Sequence, residues 1–338
     1  MPQATDWADV QVVGIPRALL YYRFGVLWTT FFQGIGRTVV VGEPTDKAVA
    51  DEGDRLSVDE CCLASKVFMG QVASLVGRCD AVFVPCYPTG EPRSGFCTKF
   101  QSATDMVRNT FRDKGLRVIS CEVRNARKMK DVRSAFEGMA ARMGVSPRDA
   151  RRAFKAAWDA QEAHDAALAD SQAKLVRELA GQKKAAAAAR AEGKSVEAPL
   201  AILVVAHPYI SQDSYLSGAV IESLEQMGAT VLYAEAVDHE KAYKKSFEFS
   251  DTMPWLINRE LIGAILLLQD HLDGIVLISA FPCGPDSMTD DAIMRCIQGT
   301  PILNLMIDAQ SGTAGVETRV ESFVDILRFQ QKGGYTHA

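Results

Sequence analysis

The chain has 338 residues, long for a single hydrophobic core, so two domains are expected. Hydrophobic residues make up 48% and charged residues 23%, an ordinary globular composition. The formal net charge of -5 and a pI near 5.7 argue against nucleic acid or an acidic membrane surface as the main partner.

In chain order, VQVVGIP (Val10 to Pro16) reads as a buried strand stopped by proline. RALLYYRFGVLWTTFFQGIG follows with helical apolar spacing and a closing glycine, and RTVVVGE is the next strand. SVDECCLASKVFMGQVASLVGRC reads as a helix after a loop, and DAVFVP (Asp80 to Pro85) as a strand. A loop rich in Pro and Gly leads to the helix TKFQSATDMVRNTFRDKG, and LRVISCEV reads as a fourth strand. Strands alternating with helices at these lengths predict a parallel sheet covered on both faces.

From about Asp131 to Glu197 the composition shifts to Ala, Lys, Arg, Glu and Gln. SPRD at Ser146 supplies an N-cap followed by proline at the first helical position. The spacing predicts a long helix or a helical hairpin, roughly 65 Å long if unbroken. KKAAAAARAEGK within it reads as a solvated tip, and no chemistry is assigned there.

The third block repeats the first theme. PLAILVVAHP, ATVLYAEA, DGIVLISAFP and PILNLMID read as strands, and SQDSYLSGAVIESLEQMG, MPWLINRELIGAILLLQDHL, SMTDDAIMRCIQG and VETRVESFVDILRFQQ as helices. The predicted fold class is α/β, with two Rossmann-like parallel-sheet lobes joined by a long helical segment. The expected boundaries are 8–125 for the N-terminal lobe, 126–198 for the helical connector and 199–331 for the C-terminal lobe. No apolar run reaches the roughly 18 residues of a membrane helix. MPQATDWADVQ has neither a basic start nor an apolar h-region, so a cytoplasmic protein is expected.

Eight cysteines are present, at 61, 62, 79, 86, 97, 121, 283 and 296. A disulfide framework is not expected in a chain this long in a reducing compartment, and there is no Cys-x-x-Cys pair. In open parallel sheets ligands bind outside the carboxyl ends of the strands. Cys62 opens a helix after the loop leaving the second strand, Cys97 precedes TKFQSATDMV, and Cys283 follows GIVLISAFP in the stiff turn FPCGP. Helix N-termini favour thiolates, and three thiolates on a cubane leave one iron open. Three such thiols contributed by both lobes are therefore candidates for one metal site; the alternative is packing. Cys79, Cys121 and Cys296 read as core filler, whereas Cys86, at a strand end like Cys283, is either a fourth ligand, a supporting thiol or packing.

His207 and Tyr209 follow the strand PLAILVVAHP and are expected at the same end of their sheet. His207 could donate a proton or orient a ligand, or else pack or cap a helix. Asp213 is a helix cap or a site residue, and Ser287 a cap for the helix after Cys283 or a catalytic hydroxyl. Lys66 and Lys99 each follow a proposed ligand and either offset the charge of a thiolate cluster or are solvated. Arg17, after the first strand, is a candidate anion ligand, and SGTAG (Ser311 to Gly315) a weak phosphate nest.

Several of these segments together resemble the 2-hydroxyacyl-CoA dehydratase-related family, which includes acyl-CoA dehydratase activase-related proteins and 2-hydroxyglutaryl-CoA dehydratase D-components. The matching pieces are GIPRALLYYRFGVLWTTFF, LSVDECCLASKVFMG, GFCTKF with DMVRN, AHPYISQD, FPCGPDSM and IDAQSGTAGVETRVESF. The resemblance implies a 4Fe-4S cluster held by Cys62, Cys97 and Cys283 between Rossmann-like lobes. It departs from the family at Cys61, where an alanine-like residue is usual, and at Cys86, where cysteine is unusual; either could add or replace a ligand. In such systems an ATP-driven activator delivers one electron to the cluster, and a ketyl radical formed at the thioester of a 2-hydroxyacyl-CoA expels the neighbouring hydroxyl. The implied function is a cluster-binding component of a 2-hydroxyacyl-CoA dehydratase-type or related ATP-driven radical reductase system, a lyase subunit. The alternatives are an electron-transfer cluster protein without its own substrate site and a metal-free two-lobed small-molecule binding protein. Expected partners are an ATP-dependent activator or a second dehydratase-like subunit, a CoA-ester substrate, and a homo- or hetero-dimer arrangement. No GxxxxGK[ST] loop is present, so the ATPase is expected on another polypeptide.

Overall fold

The computed structural model describes residues 7–308 and 313–331. It divides into two compact units, Met1–His164 with Thr252–Leu256, and Asp165–Asp251 with Ile257–Ala338. Each carries a four-stranded, all-parallel sheet, as the alternation of strand and helix patterns predicts.

The first unit begins with β1 (Val12–Ile15), α1 (Tyr21–Gly34), β2 (Thr38–Val41), α2 (Lys47–Arg55) and α3 (Leu63–Leu75). It continues with β3 (Ala81–Phe83), α4 (Thr98–Thr110), β4 (Val118–Ile119), α5 (Met129–Arg142) and the start of α6 (Pro147–Ala191). The strand order is β2-β1-β3-β4. An aromatic core anchors the helices to the sheet. Phe32 meets Phe83 edge-on at 5.0 Å, Trp28 meets Phe83 at 5.3 Å, and Phe31 meets Phe136 of α5 at 4.9 Å. Gly14 sits inside β1 because a side chain there would lie 2.6 Å from the Cys79 sulfur, which fixes Cys79 as packing.

Two details depart from expectation. The strand LRVISCEV shrinks to Val118–Ile119 at the sheet edge, so buried Cys121 lies just beyond a strand and not inside one. The helix expected from Ser57 starts at Leu63, and a separate helix, α2, precedes it. Asp46 caps α2 by accepting from the Val49 N–H at 2.8 Å. Its buried residues are only Ala50 and Gly53, and at nine mostly polar residues it is short for a pattern to mark it. Small residues are needed there: a Cβ on Gly53 would stand 2.0 Å from the Lys66 carbonyl oxygen, and one on Gly70 1.9 Å from that of Val49. The two helices thus touch backbone to backbone.

Helix α6 runs unbroken through Gly181. Ser146 caps it, its hydroxyl accepting from the Asp149 N–H and donating to the Asp149 carboxylate. Phe154 packs near Phe136 in the first unit, and from Asp165 onward the helix belongs to the second. There Gln172 lies along the edge of that sheet, donating to the Tyr233 and Ala236 carbonyls and accepting from the Tyr233 N–H. KKAAAAARAEGK is not simply a solvated tip. Lys183 pairs with Asp273 at 2.6 Å and Ala186 is buried, because one face of the helix packs on the second unit.

The second unit then contains β5 (Leu200–Val205), α7 (Pro208–Ser211), α8 (Ser214–Gln226), β6 (Ala229–Tyr233) and α9 (His239–Lys245). It ends with α10 (Leu256–Leu268), β7 (Gly274–Ala280), α11 (Gly284–Cys296), β8 (Ile302–Ile307) and α12 (Thr313–Gln331). The strand order is β6-β5-β7-β8. All residues of β5 and β7 are buried, as expected of central parallel strands. Asp213 caps α8, accepting from the Tyr215 N–H at 3.0 Å. Cys296, expected in the core, is exposed at the last position of α11.

Candidate functional site

In each unit the direction of winding reverses between two central strands, β1 and β3 in the first, β5 and β7 in the second. The carboxyl ends of such strand pairs open a crevice where ligands bind. The proposed ligand cysteines share one local geometry. Cys62, Cys97 and Cys283 are the N-cap residues of α3, α4 and α11, with extended φ/ψ of -64/152°, -68/159° and -74/112°. None makes a side-chain cap hydrogen bond. A thiol so placed lies beside unsatisfied helix N–H groups and the positive end of the helix dipole, the setting that stabilises thiolate.

In the first unit, the loop that carries Cys97 is tied down at Gly95. Gly95 bridges to Trp255 through Gly95 N–H to the Pro254 carbonyl, 3.0 Å, and Leu256 N–H to the Gly95 carbonyl, 2.9 Å. Tyr87 and Phe96 pack at 4.9 Å beneath it. Lys99 donates to the sulfur of buried Cys61 at 3.2 Å, whereas Lys66 is committed to Asp54 at 2.6 Å. Cys86 follows β3 in a bridge with Glu122, and its sulfur points to the Gln101 carbonyl at 3.4 Å. Burial pushes the Cys86 thiol up, with the Glu122 and Asp105 charges adding to it. Burial likewise raises Cys121. Both environments work against thiolate.

In the second unit, His207 and Cys283 follow β5 and β7, the two strands at the reversal. Between them lies a residue that sequence reasoning passed over. Asp286, 5% exposed, accepts from or shares a proton with His207 Nε2 at 2.9 Å and accepts from Asn258 Nδ2 at 2.9 Å. Asn258 also reaches the Thr289 hydroxyl at 3.1 Å. Burial pushes the Asp286 carboxyl up, but the His207 charge and hydrogen bonds from His207, Asn258 and the Cys283 thiol carry it below the usual carboxylate range. Asp290, one turn on, is pushed up to about 7 by burial and then by the Asp286 charge. A cavity of about 10 Å³, room for one water, is lined by His207, Asn258, Asp286, Thr289 and Asp290 among apolar residues. Tyr209 stacks on His207, ring centroids 4.8 Å apart and ring planes nearly parallel. Ser287 does not cap α11 at its N–H end; its hydroxyl donates back to the Cys283 carbonyl at 2.7 Å. A signal for the missed residues exists in the spacing: Asp286, Asp290 and Ile293 share one face of the helix with a residue that must be buried.

Among the described residues no group of three or more His, Cys, Asp or Glu side chains stands arranged to hold a metal ion. Of the SGTAG segment, Ser311 and Gly312 lie outside the described residues. No helix of the described residues is long and apolar enough to cross a membrane.

The fold and these strand-end sites define a protein with two Rossmann-like α/β units. Residues 12–237, about two thirds of the chain, match the family described as CoA enzyme activase uncharacterised domain, and the chain belongs to that family. The match spans Cys62, Cys97 and His207 and stops before β7, so Cys283 and Asp286 lie beyond it. No curated protein matches the chain. Among solved structures, a metal-free variant of a periplasmic metal binding protein from Candidatus Liberibacter asiaticus is similar at 12% identity, covering 94% of this chain and 98% of that one with a TM-score of 0.27. A Mn-bound variant of that protein gives 12% identity, the same coverage and a TM-score of 0.26.

Proposed function

We propose that this activase-family protein is the cluster-binding component of a 2-hydroxyacyl-CoA dehydratase-type or related ATP-driven radical reductase system, with Cys62, Cys97 and Cys283 as thiolate ligands of a 4Fe-4S cluster. The observation that carries the reading is the shared placement of these cysteines: three thiols, each the N-cap of a helix with extended φ/ψ. Donor chemistry and position both fit iron–sulfur ligation. The bound cluster would supply one-electron chemistry to a CoA-ester substrate, with its electron delivered by a separate ATP-dependent activator or through a second dehydratase-like subunit. The chain's own residues hold the donors in place. Ser287 ties the Cys283 carbonyl, and the Gly95 bridge fixes the loop before Cys97.

The test is anaerobic purification and cluster reconstitution, with iron, sulfide and electron paramagnetic resonance measured on the full chain. Cys283→Ser is expected to lower bound iron strongly. Cys296→Ser, changed at the exposed far end of the same helix, is expected to keep it near the wild-type level. Equal iron in the two variants, or a colourless wild-type protein after reconstitution, would overturn the reading. Tight binding of a CoA thioester then separates an enzyme subunit from an electron carrier.

A further inference from the structure

Two lysines follow proposed ligand cysteines in the first unit, and the fold treats them differently. Lys66, on α3, is neutralised by Asp54 at 2.6 Å. Lys99, in the first turn of α4, donates to the sulfur of Cys61 at 3.2 Å and pairs with no carboxylate among the described residues. Its side chain is half-buried, and Cys61 is 2% exposed. Drawing an ammonium off the surface without a counter-ion is unfavourable unless its surroundings carry negative charge.

Both ends of this contact are fixed. Cys61 closes the turn before α3, its N–H donating to the Val58 carbonyl at 3.0 Å, and the Cys62 carbonyl accepts from the Ser65 and Lys66 N–H groups at 2.9 and 3.0 Å. Phe100, next to Lys99, is buried against Phe96, and its carbonyl accepts from the Tyr87 N–H at 3.2 Å. Cys61 is peptide-bonded to Cys62, and Lys99 lies two residues past Cys97. The contact therefore ties the start of α3 to the start of α4, and bond lengths alone keep Lys99 Nζ within about 10 Å of the Cys62 Cα. A thiol acceptor fixes the ammonium without adding a negative charge, whereas Asp54 cancels that of Lys66.

We propose that Lys99 and Cys61 are a positioning pair that sets the reduction potential of the cluster assigned above to Cys62 and Cys97: Cys61 is not a ligand but the acceptor that holds the Lys99 charge beside them. The proposal rests on the cluster reading. A fixed cation beside thiolate-held iron favours the reduced form, because reduction adds a negative charge. It also divides the adjacent cysteines into one ligand, Cys62, and one supporting thiol, Cys61.

Redox titration followed by electron paramagnetic resonance on the reconstituted full chain, with iron measured alongside, tests it. Lys99→Met is expected to keep iron near the wild-type level and to move the midpoint potential to more negative values. Lys99→Arg, which keeps the charge, is expected to stay nearer wild type. Cys61→Ser, whose hydroxyl still accepts from Lys99, is expected to hold full iron at a potential close to wild type, and Cys61→Val, without an acceptor, to shift in the direction of Lys99→Met. Loss of iron in Cys61→Ser to the level of Cys62→Ser makes Cys61 a ligand and overturns the proposal. A wild type that takes up no iron removes the cluster reading and this one with it, whereas iron-loaded Lys99→Met and Cys61→Val at the wild-type potential remove this one alone.

Discussion

Asp286→Ala removes the hub of the second unit's strand-end network. Both His207 Nε2 and Asn258 Nδ2 meet the same carboxylate oxygen at 2.9 Å, and the three residues are 5%, 3% and 5% exposed for His207, Asn258 and Asp286. Deletion leaves two buried donors without an acceptor, at about 1–3 kcal/mol each. It also breaks a buried pair, for which losses of about 3–5 kcal/mol are typical. Relief of the cost of burying the carboxylate offsets part of this, so the expected net loss is about 3–5 kcal/mol. In a unit of this size that lowers the midpoint of thermal unfolding by roughly 10 °C. The four tryptophans, at 7, 28, 158 and 255, all lie in the first unit and report it by fluorescence. Hydrogen exchange of the β5 and β7 amides reports the second. The loss should fall in the exchange of those amides, and the cycle with His207→Ala should show coupling above about 1 kcal/mol. A loss under about 1 kcal/mol for Asp286→Ala, or additive single variants, would refute the hub.

Three further outcomes follow from the same structure. Gly70→Ala places a methyl 1.9 Å from the Val49 carbonyl and must part α2 from α3, with an expected loss of about 3 kcal/mol in urea unfolding. Gly138→Ala, a helical glycine with nothing within 4 Å of the new methyl, should be neutral or stabilising by up to about 1 kcal/mol in the same assay. Asp290 is held up at about 7 against 3.8 unfolded, so the folded state binds its proton more tightly. The stability this contributes is present below pH 3.8 and is lost as pH rises through about 7, by up to about 4 kcal/mol. Asp290→Asn should therefore flatten the stability profile between pH 4 and 8 and gain on wild type at the alkaline end; parallel profiles would count against it.

Much of the architecture was legible in the residues alone. VVGI, AVF, LAILVV and GIVLISA are apolar runs too short for buried helices, alternating with amphipathic stretches, and that rhythm has few solutions besides parallel sheets. Proline and glycine mark the strand ends, which is why Cys283, His207 and Arg17 stand out in the sequence. Helix α2 is hard to read from sequence because it is only nine residues long and mostly polar, and its contact with α3 is made by backbone. Cys296 departs from expectation because a helical pattern gives its face only to within a residue, and it sits exposed at the last position of α11.

What the linear order settled, then, is the class of fold and the strand ends at which polar side chains are presented. Tertiary structure alone decided which of those groups are matched. Lys99 meets Cys61 and Lys66 meets Asp54, while Asp286 collects His207, Asn258 and the Cys283 thiol. Such pairings join residues as far as 79 positions apart, as with His207 and Asp286. They depend on strand order and helix crossing, which local propensity and spacing do not encode, and burial then makes each matched or unmatched polar atom cost enough to matter.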